Sequence, residues 1–184
     1  MLLGYLLLIF PATALLSALL YLPIYLIGRK CGRKHTPAHH IAVYAFIGCC
    51  CSLAYLTILW YYPNITFHPE YHFLNLVPFI WLQETYLMGT TRMIEQLLLN
   101  IAMFLPYGFL LPCVFTPLRK LRWQILVVIA TTTFIETIQY FIGRSADIDD
   151  VFMNTIGGVL GYLCFIIAEK LQTVISYKKR IKDI

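Results

Sequence analysis

The stretch FIETIQYFIGRSADIDDVFMNTIGG carries Glu136, Gln139, Asp147, Asp149, Asp150 and Asn154 between flanks apolar enough to lie in lipid. A carboxyl group can move a proton, hold a cation or accept hydrogen bonds, and a side-chain amide both donates and accepts. A charge at the bilayer centre costs about 3 kcal/mol or more, so Glu136 must be paired, protonated or facing a wet cavity, and a functional role is its default reading. The three amides Asn100, Gln139 and Asn154 have a plainer use in hydrogen bonds between helices. Asp147, Asp149 and Asp150 fall at a helix start, where carboxylates favour the positive dipole end and Ser145 is placed to cap. Asp149 reads as a solvated face of that start.

These groups need elements to hold them, and composition names the kind. Of 184 residues, 60% are hydrophobic and 12% charged, about half the charge of a typical soluble chain; the mean hydropathy is +0.74. The expectation is an all-α, polytopic membrane helix bundle, a single membrane domain over residues 1–184, with the bilayer as its principal partner. Five apolar segments are each long enough to span, at roughly 20 residues apiece: about 1–27, 41–62, 97–115, 123–143 and 151–168. The first lacks a basic leading region and is longer than a signal-peptide core, so it reads as a retained span.

Twelve basic residues fall on one side of this five-span arrangement: Arg29, Lys30, Arg33, Lys34, Arg119, Lys120, Arg122, Lys170, Lys178, Lys179, Arg180 and Lys182. The other side has only Arg92 and Arg144. The positive-inside rule then predicts an N-terminus outside and a C-terminus in the cytoplasm of a plasma-membrane protein. Orientation and attraction to anionic lipid account for the net charge of +5 without a nucleic-acid partner. The outer segment 63–96 contains FLNLVPFIWL, too short to span and interrupted by Pro78, which predicts an interfacial or re-entrant piece. Tyr61, Tyr62, Trp81 and Tyr86 suit an aromatic belt.

Depth and phase bring the polar groups together. At about 1.5 Å per residue, Gln139 lies about one turn below the outer surface and Glu136 about two, with Asn100 and Asn154 about one turn deep on their own helices. Thr132, Glu136 and Gln139 share a face, and Asp147, Asp150, Asn154, Gly157 or Gly158, and Gly161 follow a stripe of threes and fours. Gly157 and Gly161 form a GxxxG that permits close backbone approach. Pro106 and Pro112, with Gly108, should bend the third span and free a backbone carbonyl. Arg92 is a candidate partner for Glu136; Arg144, about two turns above it, reads as too far for direct contact with Glu136 and joins the binding set only.

Other features read more plainly. No cofactor and no metal are expected. The six cysteines lack CxxC spacing and read as small apolar residues. His68 and His72 flank Glu70 at i, i+4 around Pro69 and read as an unmetallated interfacial pair. His35, His39 and His40 read as headgroup-level residues on the basic side. Asn64-Ile65-Thr66 matches a glycosylation acceptor usable only in a eukaryotic secretory source.

The series LNLVPF (Leu74–Phe79), NIAMFLPYGFLLP (Asn100–Pro112), FIETIQ (Phe134–Gln139) and DIDDVFMNTIGGVLG (Asp147–Gly161) resembles the VanZ-like family of bacterial membrane proteins, over a core of residues 74–161. The family pattern falls on Asn100, Phe104, Pro106, Gly108, Glu136, Gln139, Asp147, Asp150, Asn154, Gly157 and Gly158. The resemblance implies an association with antibiotic resistance. The family's namesake lowers susceptibility to teicoplanin and related glycopeptides in Gram-positive bacteria, and it is not a precursor-remodelling enzyme.

Three functions follow as expectations. The first is binding, in resistance or cell-envelope homeostasis: an outward polar pocket of Asn100, Glu136, Gln139, Asp147, Asp150, Asn154, Arg92 and Arg144 holding a lipid-linked cell-wall precursor, a glycolipid or the lipoglycopeptide itself. The second is an enzyme acting on a membrane lipid or glycolipid, with Glu136 as general acid/base and Asp147 or Asp150 as partner or metal ligand. It lacks an HExxH, a Ser or Cys nucleophile signature and an outer basic cluster for phosphate. The third is a small cation- or proton-coupled transporter, for which five spans without an inverted repeat are few.

Overall fold

The computed structural model describes residues 2–32, 35–59, 73–79 and 89–182, with side chains placed from Pro11 to Ser176 within those ranges. The proposed aromatic belt, the His68–Glu70–His72 group and the Asn64 acceptor lie outside the described residues. Among the described residues, five α-helices carry the chain: α1 (Leu2–Lys30), α2 (Pro37–Thr57), α3 (Thr90–Val114), α4 (Leu121–Phe141) and α5 (Ile148–Lys182). Each contains a stretch long and apolar enough to cross a membrane. A four-residue 3₁₀ turn, Thr116–Arg119, joins α3 to α4, and two-residue strands β1 (Leu74–Asn75) and β2 (Ala146–Asp147) complete the order. This is an all-α, multi-pass membrane bundle with its apolar side chains turned outward: Leu19, Ile41, Phe134 and Ile167 are among many that are exposed, as expected where the solvent is hydrocarbon.

The helices differ in length from the apolar runs. α3 begins seven residues before Leu97 and α5 continues to Lys182, because hydropathy reports the lipid-facing portion and helical hydrogen bonding continues past it into polar turns; α2 instead stops at Thr57, short of the end of its apolar run.

The central weld is between α3 and α5, the most extensively packed helix pair. Gly157 lies against the Ile101 carbonyl, Gly161 against Leu105 and Phe109, and Gly108 against the backbone of Gly158; a methyl at any of these would collide with the opposing main chain. With no hydrophobic drive between helices in lipid, such close backbone contact supplies the association energy through dispersion. α4 closes over the weld, Val128 filling the space above Gly158. Phe104, Tyr107, Leu111, Val128, Ile135 and Leu53 form the buried core, which draws α2 onto α3 and α4. α1 packs on α2.

Both prolines of α3 are accommodated inside a continuous helix. Pro112 has no N–H to offer the carbonyl four residues earlier, that of Gly108. Gln124 of α4 supplies the donor instead, its Nε2 2.7 Å from that oxygen. The freed carbonyl expected from sequence thus becomes an interhelical bond.

Candidate functional site

The site grows from how α4 stops and α5 starts. α4 ends in a Schellman arrangement: Gly143 takes a left-handed φ of 82°, its N–H bonds the Tyr140 carbonyl at 3.2 Å, and the Arg144 N–H bonds the Gln139 carbonyl at 2.9 Å. Glycine enters this conformation without a Cβ penalty. The turn throws Arg144 sideways, and its Nη1 donates to the Thr57 carbonyl at the end of α2, 2.8 Å away. The same carbonyl accepts from Gln139 Nε2 at 3.0 Å. Two cross-helix donors therefore satisfy a carbonyl that the end of α2 leaves open.

Three residues on, β2 pairs in parallel with β1, Leu74 opposite Ala146 and Asn75 opposite Asp147, and the Ala146 N–H reaches the Phe73 carbonyl at 2.9 Å. The segment Phe73–Phe79 thereby lies as a strap across the start of α5. Asn75 locks it twice: its Nδ2 donates to Asp147 Oδ1 at 3.0 Å, and its Oδ1 accepts from the Val77 N–H at 3.0 Å. Farther along, the Phe79 N–H donates to Asp149 Oδ1 at 2.7 Å, and the Phe79 and Phe152 rings stack with centroids 6.2 Å apart.

Asp149 is therefore no solvated residue: it is 4% exposed and anchors the strap. The first turn of α5 is capped by Asp147, whose Oδ1 accepts from the Asp149 N–H at 2.8 Å, and not by Ser145, which is exposed. The Asp147 N–H in turn donates to Glu136 Oε2 at 3.0 Å. Glu136, 6% exposed, thus meets α5 through its backbone.

Below this layer the amides bond between helices. Asn100 Nδ2 of α3 donates to Asp150 Oδ1 at 2.5 Å, and Asn154 Nδ2 donates to Thr132 Oγ1 of α4 at 2.8 Å. The charge of Asp150 acts on Glu136, and the Arg144 guanidinium acts on both. Asn100, Glu136, Gln139, Asp147, Asp150, Asn154 and Arg144 are thereby brought to one end of the bundle, in a linked set of contacts. Arg92 is not among them: it is exposed on the first turn of α3, and Arg144 takes the place foreseen for it beside Glu136. Asn75, Thr57 and Asp149 belong to the cluster without having been assigned to the site from sequence. Asn75 was visible in the LNLVPF motif, where an amide three residues before a proline signals a side-chain-locked turn.

The bonding is lopsided. Asp149 Oδ2, Gln139 Oε1 and Asn154 Oδ1 are buried with no hydrogen-bond partner, as is Gln124 Oε1 deeper in the bundle. All are acceptors. The cluster can therefore take donors or positive charge: hydroxyls, N–H groups, an ammonium or a small cation. The described residues also enclose a cavity of about 320 Å³, but it lies at the opposite end, between α1 and α2.

Comparison with known proteins gives one finding. Residues 41–169 match the family model described as VanZ/LLP1. No curated protein and no solved structure matched. The matched region spans α2 through most of α5 and contains the strap, the glycine weld and every acid of the cluster. A chain whose family match covers this much of its length, and whose helices are suited to span a membrane, belongs to the VanZ/LLP1 family, a membrane family associated with glycopeptide resistance.

Proposed function

We propose that the acidic end of the bundle faces the cell exterior and binds a donor-rich, glycosylated amphiphile: a lipid-linked cell-wall precursor, a glycolipid or the lipoglycopeptide antibiotic. The observation that carries this reading is the surplus of acceptors. Glu136, Asp147, Asp149 and Asp150 lie at one end of the bundle, the Arg144 guanidinium acts on Glu136 and Asp150, and buried oxygens of Asp149, Gln139 and Asn154 lack donors. Each unpaired buried polar atom costs about 1–3 kcal/mol, and sugar hydroxyls or an amine would recover that cost on binding. The basic residues Arg29, Lys30, Arg119, Lys120 and Arg122 at the opposite end support the orientation through the positive-inside rule.

The test is expression in a susceptible Gram-positive host, with teicoplanin and vancomycin sensitivity compared for wild type, Glu136→Gln, Glu136→Ala and Asp149→Asn. Binding predicts that protection is lost in Glu136→Ala and largely kept in Glu136→Gln, which retains an acceptor for the Asp147 N–H. Loss of protection in both variants, accompanied by turnover of a labelled glycolipid in proteoliposomes that Glu136→Gln abolishes, would replace binding with acid/base catalysis. Protection by all variants alike would remove the cluster from the function.

A further inference from the structure

The cavity between α1 and α2 lies about 30 Å from the acid cluster, the length of the 21-residue α2. It is lined by Tyr21, Tyr25, Arg29, His35, His39 and His40, with Ile24, Ile27 and Val43 as its apolar wall. It sits where two candidate spans end, at Lys30 and Pro37, which is the level of lipid headgroups. We propose that this cavity binds the phosphodiester headgroup of an anionic phospholipid.

Four observations converge. No carboxylate is among the lining residues, and none occupies the first turn of α2, whose cap is the neutral Thr36 hydroxyl accepting from the His39 N–H, so the positive end of that helix carries no compensating negative charge. The Arg29 guanidinium stands over the Tyr25 ring, 5.9 Å from its centroid, which holds the cation at the cavity edge. His40 is fixed by Tyr21: the hydroxyl and Nδ1 are 2.7 Å apart. A hydroxyl that donates to Nδ1 leaves the ring proton on Nε2, making the imidazole a donor. His35 and His39 stack with centroids 4.3 Å apart and planes 23° from parallel. Face-to-face rings do not aim their nitrogens at one point, and among the described residues no group of three His, Cys, Asp or Glu is arranged for a metal.

The ligand is then an anion that accepts several hydrogen bonds. The choice of a lipid over free phosphate rests on Ile24 and Ile27, both exposed on the lipid-facing side of α1, which give the chains attached to such a headgroup an apolar path out of the cavity.

The experiment measures equilibrium binding of labelled dioctanoyl-phosphatidylglycerol to the full chain in maltoside micelles. Competition arms use dioctanoyl-phosphatidylcholine and inorganic phosphate. The expected result is saturable binding, weakened at least tenfold in the Arg29→Gln/His40→Gln double variant and at least threefold in Arg29→Gln alone, an exposed position that leaves folding unaffected. Arg122→Gln, an exposed basic residue away from the cavity, should bind as wild type. Competition by phosphatidylcholine as strong as by phosphatidylglycerol overturns the proposal, as does inorganic phosphate competing as well as the lipid, or unchanged binding in both Arg29 variants.

Discussion

Replacing Asp149 by alanine separates two quantities that usually move together. One oxygen of Asp149 holds the strap through the Phe79 N–H at 2.7 Å, while the other is buried without a partner. A hydrogen bond to a charged acceptor contributes about 1.5–3 kcal/mol. Phe79 sits at φ 63°, a left-handed conformation costing an L residue about 1–2 kcal/mol, so once the bond is gone the residue relaxes away. Local opening at Phe79 should therefore become easier by about 1.5–3 kcal/mol, roughly ten- to a hundredfold. Global stability should hardly fall, because the variant also removes a carboxylate whose second oxygen was desolvated for no return.

The opening should also be graded along the strap. Asn75 still bonds Asp147, and the Ala146 N–H still bonds the Phe73 carbonyl. Amide hydrogen exchange in nanodiscs, resolved to single residues, checks this: exchange at Phe79 rises ten- to a hundredfold in Asp149→Ala, while exchange at Ala146 rises less than about threefold. Asn75→Ala should loosen the other end. Unchanged exchange at Phe79, or a loss of global stability above about 2 kcal/mol without local opening, would refute the assignment of Asp149 as the anchor.

Two further substitutions probe the frame. Gly161→Leu places a Cβ 2.7 Å from the Phe109 nitrogen and against the Leu105 carbonyl, so α3 and α5 must separate; SDS-induced unfolding should register a loss of about 2–3 kcal/mol, whereas Gly28→Ala, with nothing within 4 Å, should be neutral or stabilising by up to about 1 kcal/mol. Gln124→Leu should cost about 1–2 kcal/mol by orphaning the Gly108 carbonyl. In a Pro112→Ala background that cost should nearly vanish, since the alanine returns a backbone donor to the same oxygen; an undiminished cost there would show that Gln124 does not answer the proline.

The spans were legible because a bilayer enforces them: about 20 apolar residues must be contiguous, whatever the tertiary structure. The expectation that Asn100, Glu136 and Asn154 meet came from depth and helical phase, given a fixed helical rise and alternating direction. What sequence could not give were the contacts formed by chain outside the spans. Asp149 has the composition of a solvated helix start, and only the return of Phe73–Phe79 over it changes its environment. Ser145 was the expected cap, but Asp147 takes that role, the pairing of β2 with β1 fixing it over the Asp149 N–H. Helical rise alone set Arg144 about two turns from Glu136 and so favoured Arg92 as its cation. The Schellman turn at Gly143 reversed that choice by carrying Arg144 toward α2. Gln124 was discoverable, being an amide inside an apolar span sixteen residues after the carbonyl it serves, but its partner depended on how α4 lies against α3.

These particulars bear on why the acids are there at all. A polar contact whose task is to fasten helices needs few groups: Gln124 gives one N–H to the Gly108 carbonyl and leaves a single oxygen unpaired. The acidic end uses many. Asn75, Asn100, Gln139, Asn154 and Arg144 each already give a donor to another partner, and the buried oxygens of Gln139, Asp149 and Asn154 remain without one. The bundle does not need this arrangement for cohesion, since the glycine contacts of α3 and α5 and the Phe104–Val128 core hold the same helices without charge. Replacing buried ionic groups by apolar ones of similar size is often neutral or stabilising. A frame that is stable by other means, and that carries an uncompensated excess of acceptors at one end, is better suited to receiving donors from a ligand than to closing on itself.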